Sequence, residues 1–297
     1  MTQQAIETTY RRWLTDAGID EETKAELRAI EHQWHEIEDR FYRHLEFGTG
    51  GLRGIIGAGT NRMNRYTVRR ATQGLAQYVR SMAGDGASVV IAYDSRRKSP
   101  EFALEAALVL AGNGVKVYLF ESLRPTPELS FAVRHLRATA GIVITASHNP
   151  PEYNGYKVYG EDGGQIVPKI AEKVMAEIAA VPSFDAVKRM ERAEAEKAGL
   201  LVWIGPEVDE AYIRAVIGAS PRPGIAAEAA KEGVKLTIVY TPLHGTGNMP
   251  VRKALAAAGF TDVHVVKEQE MPDSEFSTVK SPNPEEREAF ALALKMA

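Results

Sequence analysis

The sequence predicts an α/β fold with mixed, mostly parallel sheets sandwiched by helices, and three observations carry that expectation. Short β-branched runs alternate with helix-length segments between residues 88 and 144. The segments between those runs are long enough for the crossover helices that parallel strands require. A second strand–helix alternation opens near residue 206. At roughly 100–200 residues per domain, the 297 residues divide into two units, 1–205 and 206–297.

Residues 3–46 read as two helices, with Leu14, Leu27, Ile30, Trp34 and Ile37 at helical spacing. The polar stretch 16–23 supplies the break between them, and Asp20 is placed to cap the second. Four glycines in Phe47-Gly48-Thr49-Gly50-Gly51-Leu52-Arg53-Gly54 exclude a stable helix there. Helical periodicity resumes over 65–83. Ser88–Tyr93 is a strand, followed by Asp94-Ser95-Arg96. A helix over Ser99–Gly112 takes Ser99 as N-cap and Pro100 in its first turn. Then come a strand at Val115–Phe120, a helix at Pro127–Arg137 and a strand at Ala140–Ile144 that runs into Thr145-Ala146-Ser147. Residues 168–199 read as helical and charged.

In the second unit the pattern gives a helix at Glu207–Ile217 and a Pro/Gly break at 221–224. A strand at Val234–Tyr240 leads into Thr241-Pro242-Leu243-His244-Gly245-Thr246-Gly247. A helix at Met249–Ala258, a strand near Val263–Val266 and a helix from Pro284 follow. The last residues, 291–297, form an apolar helical face with neither cap nor following strand, so the second unit is expected to be cut short.

Composition excludes several functional classes. A net charge of −3 provides no global field for nucleic acid or anionic membranes. Without cysteine there are no disulfides, thiolate metal sites or cysteine nucleophiles, which suits a cytoplasmic protein. Residues 1–12 lack the apolar stretch of a signal peptide, and no apolar run approaches the ~18 residues that span a bilayer.

The chemistry concentrates in Thr145-Ala146-Ser147-His148-Asn149-Pro150, directly after a strand, where sites in parallel α/β folds collect. Adjacent side chains in extended chain point to opposite sides, so His148 is not expected to act as base to Ser147. The nucleophile elbow of serine hydrolases is absent. On residues alone the string reads equally as a Thr/Ser/Asn turn bounded by prolines. Arg53 is either a surface arginine or a guanidinium for a phosphoryl group. Lys157 is either a solvated strand lysine or a base whose pKa is lowered by cations or burial. Arg96 either faces a site or pairs with a carboxylate to hold its loop. His244 and its glycine-rich turn read as architectural.

The whole string ITASHNPPEYNGYKVY resembles the α-D-phosphohexomutase superfamily, whose serine loop it reproduces, with the family's Asn-Gly-x-Lys as Asn154-Gly155-Tyr156-Lys157. EFGTGGLRG at 46–54, GAGTNRMN at 57–64 and YDSRRKS at 93–99 are similar to the bacterial phosphoglucomutase branch, which includes phosphopentomutases. The resemblance implies that Ser147 carries a phosphoryl group between C1 and C6 of glucose phosphate, with glucose 1,6-bisphosphate as intermediate and activator. It implies Ser147, His148, Lys157 and Arg53 as catalytic, and Thr49, Gly50, Arg53, Asn149 and Arg96 as substrate-binding. It also leaves open phosphopentomutase or phosphomannomutase specificity, or a non-catalytic phosphosugar- or protein-binding fragment. No oligomeric state follows from it.

In the family a Mg²⁺ ion binds phosphorylated Ser147 together with an Asp-x-Asp-x-Asp-Arg loop of the second domain. That loop is not found here, nor are the Gly-Glu-x-Ser-type and Arg-x-Ser-Gly-Thr loops of the third and fourth domains. The stretch 268–275 has carboxylates but not the metal-loop spacing. The expectation is therefore a phosphohexomutase domain I with the phosphoserine loop at 1–205 and an incomplete domain II at 206–297, an amino-terminal fragment with little turnover of its own.

Overall fold

The computed structural model describes every residue except Thr49 and Lys235. Among the described residues the main sheet has six strands: β1 (Gly51–Ile55), β2 (Ser88–Tyr93), β3 (Lys116–Phe120), β4 (Ala140–Ile144), β5 (Tyr153–Gly160) and β6 (Leu201–Ile204), in the order β1-β5-β4-β2-β3-β6. β4, β2, β3 and β6 pair in parallel, whereas β5 runs antiparallel to both β4 and β1.

Twelve α-helices surround the sheets among the described residues. They are α1 (Gln3–Thr15), α2 (Glu21–Arg28), α3 (Trp34–Phe41), α4 (Arg65–Ala83), α5 (Ser99–Gly112), α6 (Thr126–His135), α7 (Pro168–Ala180), α8 (Arg192–Lys197), α9 (Pro206–Gly218), α10 (Ile225–Lys231), α11 (Asn248–Ala257) and α12 (Ala291–Met296). The helices α4, α5, α7 and α8 cover one face, burying Val89, Ile91, Ile142 and Ile144. The α6 helix covers the other, burying Val90, Ala92 and Val143. Alternate residues of β2 thus enter different cores, which is why that strand is apolar throughout. The result is a three-layer sandwich.

From β2 the chain crosses to β3 through α5, then returns past β2 to β4 through α6 on the opposite face. Two crossovers that run in opposite directions from β2 place their helices on opposite faces, as crossovers of one hand must. The direction of winding therefore reverses between β2 and β4, and the carboxyl ends of these two strands open a crevice. Asp94 and Thr145 lie at those ends.

Several sequence expectations need correction. The stretch 3–46 holds three helices, because residues 29–33 break the second predicted one before Trp34. These three close a separate small core around Trp13, Phe41 and Tyr66. Asp20 does cap α2, accepting from the Thr23 N–H at 2.9 Å. Lys98, at φ 63, caps α5 in place of Ser99, whose hydroxyl is directed to Asp94. The predicted helix over 168–199 splits at Pro182, and β6 follows it.

In the second unit β7 (Ile238–Tyr240) and β8 (Val263–Val265) pair in parallel. The strand foreseen from Val234 begins later, α10 occupies 225–231, and the helix foreseen from Pro284 starts only after a 3₁₀ turn at Arg287–Phe290. Among the described residues no helix is long and apolar enough to cross a membrane.

A buried charge cluster joins the units. Arg124, after β3, clasps Asp209 of α9 through Nε at 2.7 Å and Nη2 at 3.0 Å. Lys253 of α11 approaches the same carboxylate at 3.8 Å. Glu128 lies beside them, fully buried, with no hydrogen-bond partner for either oxygen. Burial, and then the Asp209 carboxylate, push its carboxyl up to about 8. The folded protein therefore holds a proton that the unfolded chain releases in the ordinary carboxylate range. Stability is fully present below that range and falls as pH rises through about 8. Melting temperatures measured from pH 6 to 9 should decline for the wild type and stay level for Glu128→Gln, which cannot ionise.

Candidate active site

The serine loop is a turn held from below. The Thr145 hydroxyl donates to Asp94 Oδ2 at 2.7 Å and accepts the Ser147 N–H at 3.1 Å. The Asn149 N–H closes the turn on the Ala146 carbonyl at 3.1 Å. Ser147 sits at the apex with φ 56, in the left-handed region that non-glycine residues seldom occupy. Its side chain is exposed. That backbone angle also overturns the expectation for its neighbour. The chain is not extended at Ser147, and Oγ comes within 3.3 Å of His148 Nδ1, a long hydrogen bond.

Arg96, expected among the substrate-binding residues, is instead enclosed by the loop. Its side chain is fully buried. Nη2 donates to the carbonyls of Ser147 and Asn149, both at 2.6 Å. Nη1 donates to those of Pro150 at 2.9 Å and Tyr153 at 3.3 Å. Nε faces Asp94 Oδ2 at 3.6 Å, near enough for Coulomb attraction but not for a hydrogen bond. The Asp94 carboxylate also accepts from the Ser99 hydroxyl and the Arg96 N–H. Burial nevertheless pushes its carboxyl up from the usual range.

Arg53 and Lys157 stand side by side on the sheet. In the β1–β5 register Arg53 faces Gly155 and Gly51 faces Lys157, so both side chains leave the same face as diagonal neighbours. This is the face that α6 covers over β2 and β4. Among the described residues neither the Arg53 nor the Lys157 side chain has a hydrogen bond or ion pair. Burial first, and then the Arg53 guanidinium, hold the Lys157 ammonium below the usual lysine range, with Asp94 opposing. Two glycines permit this edge. A Cβ on Gly155 would lie 2.6 Å from the Thr145 carbonyl oxygen, and one on Gly51, at φ 154, would overlap the Tyr156 carbonyl. Both contacts are with backbone, so neither position can give way.

The other expected ligand residues separate. Gly50 is buried, and its carbonyl accepts from the Val158 N–H at 2.9 Å and from Gln165 at 3.5 Å, so it serves the sheet rather than a ligand. Thr49 lies outside the described residues. Asn149 keeps a buried side-chain oxygen without a partner. Sequence reasoning missed Asn154, which is fully buried and bonds the Arg97 carbonyl and the Ser99 hydroxyl, both at 2.9 Å. Its place in the Asn-Gly-x-Lys string was the available signal.

The second unit repeats the turn. The Thr241 hydroxyl donates to Gln269 at 2.6 Å and accepts the Leu243 N–H at 3.1 Å. Gly245 closes on the Pro242 carbonyl at 2.9 Å, and Leu243 has φ 49. Leucine occupies the place of the serine, so this copy has no nucleophile. His244 is buried with Nδ1 on the Met271 carbonyl at 2.9 Å and Nε2 on Thr278 at 2.8 Å, an architectural role.

Comparison with known proteins agrees with this geometry. Residues 44–183 match the family model for phosphoglucomutase/phosphomannomutase α/β/α domain I, and residues 210–297 that for domain II. The chain belongs to the phosphoglucomutase/phosphomannomutase family. It is 39% identical to a phosphoglucomutase of Staphylococcus saprophyticus over 85% of this chain and 44% of the relative. It is 41% identical to that of Staphylococcus haemolyticus over 88% of this chain and 46% of the relative. The chain thus spans less than half the length of these relatives. A crystal structure of a protein provisionally assigned as phosphomannomutase from Thermus thermophilus superposes with a TM-score of 0.69 at 28% identity, covering 86% of this chain and 52% of that one.

Among the described residues no group of three or more His, Asp or Glu side chains converges to hold a metal. Three of the four carboxylates of 268–275 are committed elsewhere. Glu270 pairs with Lys267 at 2.8 Å and Arg252 at 2.6 Å, Asp273 caps Ser277 at 2.8 Å, and Glu275 pairs with Arg97. With Asp94 bound as above, the side chains present do not fit an octahedral Mg²⁺ site.

Arg96 should resist conservative replacement. A lysine head is a single point that cannot reach four carbonyls at once. Arg96→Lys and Arg96→Met should both lower unfolding free energy in urea, the methionine variant by about 3–5 kcal/mol because Asp94 is left buried without its cation.

Proposed function

We propose that Ser147 is the phosphoryl carrier of a phosphoglucomutase, and that the whole protein interconverts glucose 1-phosphate and glucose 6-phosphate through glucose 1,6-bisphosphate. The observation that carries this reading is an exposed serine on a braced turn that follows β4, with Arg53 and Lys157 side by side on the adjoining strands and neither side chain in a hydrogen bond or ion pair. The names of the staphylococcal relatives support the same chemistry. In this reading domain II begins near residue 206, where α9 follows the last strand of the six-stranded sheet, and the protein works in the cytoplasm.

In the forward half, a sugar hydroxyl attacks the phosphorus of phosphoserine. The new sugar O–P bond forms as the Oγ–P bond breaks, and the hydroxyl proton must leave. Lys157, held below the usual lysine range by burial and Arg53, is the base for that proton. Arg53 offers a planar fork to the oxygens of the transferring group. His148, at 3.3 Å, exchanges a proton with Ser147 Oγ as that oxygen leaves or attacks. In the return half the bisphosphate presents its other phosphoryl to Ser147 and the steps reverse. Mg²⁺, implied by the family, finds no set of side-chain ligands among the described residues.

A second reading, mannose phosphate as substrate, is favoured by the Thermus neighbour. Comparing turnover of glucose, mannose and pentose phosphates by the full-length protein decides among sugars.

Exposure to glucose 1,6-bisphosphate should add the mass of one phosphate to the wild type and none to Ser147→Ala. Retention of phosphate by that variant would sink the assignment. Lys157→Met should slow the transfer by about 10²–10⁴-fold, the usual worth of a general base. Lys157→Arg, which keeps charge but cannot deprotonate, should not restore it.

A further inference from the structure

Arg96 is gripped from two sides. The first unit supplies the four loop carbonyls and Asp94. The second supplies Phe276, whose ring centroid lies 5.1 Å from the guanidinium carbon. Phe276 is buried and has φ 50, a conformation costly for an aromatic residue. A purpose-built turn holds it there. Asp273 accepts the N–H groups of Glu275 at 2.9 Å and Ser277 at 2.8 Å and the Ser277 hydroxyl at 2.6 Å. Thr278 is anchored by His244 at 2.8 Å and by the Gln269 amide at 3.1 Å. On the exposed rim Glu275 pairs with Arg97. The connection is continuous from the second unit's repeated turn, through Gln269 and Thr278 to Phe276, and from there through Arg96 to the Ser147 carbonyl.

We propose that Phe276 is a positioning residue through which the second unit fixes the serine loop for phosphoryl transfer. Any apolar side chain could fill the space. A ring adds a negative π face to a buried cation whose carboxylate partner stands only at 3.6 Å. The guanidinium is thereby kept in the plane that reaches all four carbonyls. The consequence for transfer rests on the functional reading above, whereas the mechanical link does not.

The test compares wild type, Phe276→Leu, Phe276→Tyr and Glu275→Gln in the full chain. Hydrogen exchange reports the loop through the Ser147, Asn149 and Tyr153 amides, and intact mass follows phosphate transfer from glucose 1,6-bisphosphate. Phe276→Leu should speed loop exchange at least 10-fold and slow phosphorylation, with β2 and β4 amides still protected. Phe276→Tyr, which retains the ring, should match the wild type, and Glu275→Gln should change little because that pair is solvent-exposed. The proposal is overturned if Phe276→Leu leaves loop exchange unchanged, or if the leucine and tyrosine variants behave alike. A wild type that takes up no phosphate would refute the functional reading alone, and the exchange arm would still decide the link.

Discussion

One buried guanidinium holds the serine loop together. The carbonyls of Ser147, Asn149, Pro150 and Tyr153 all turn inward on Arg96, and backbone oxygens in so tight a bend would otherwise be left without donors. Satisfying them with one cation brings its own cost, because a buried charge needs a counter-charge. Asp94 provides it, and Thr145, Ser99 and the Arg96 N–H in turn satisfy Asp94. The loop is thus closed upon itself, and none of those bonds uses the Ser147 hydroxyl.

This economy sets the division among the cations at the site. Arg96 is spent on the backbone, which leaves Arg53 and Lys157 unpaired on the neighbouring strands. Partial burial, and then the repulsion from Arg53, shifts Lys157 toward the neutral amine. An anion held between them would relieve that repulsion.

The sequence made the central strands legible because burial on both faces leaves an unmistakable apolar run. Ser88–Tyr93 and Ala140–Ile144 were readable to the residue. The outer strands were not. β1 contains two glycines, of which Gly51 is demanded by close backbone approach, and β5 carries Asn154, Gly155 and Lys157 in place of an apolar alternation. β6 is four residues long and follows a charged helix. At the site, the motif pointed to Ser147, Arg53 and Lys157, but it could not separate Arg96 from the ligand-binding set. That distinction depends on where five donors point, which only the folded loop determines. The left-handed angle at Ser147, which brings His148 within reach, was equally invisible in the string of letters.

The repeated turn in the second unit separates the frame from the chemistry it carries. Its hydrogen bonds run through a threonine hydroxyl and backbone atoms, and the apex side chain takes no part in either copy. The frame therefore makes no hydrogen-bonding demand on the apex side chain. One copy carries serine and the other leucine on the same frame. Exchanging the apex side chain silences or creates a reactive group without breaking a hydrogen bond of the frame.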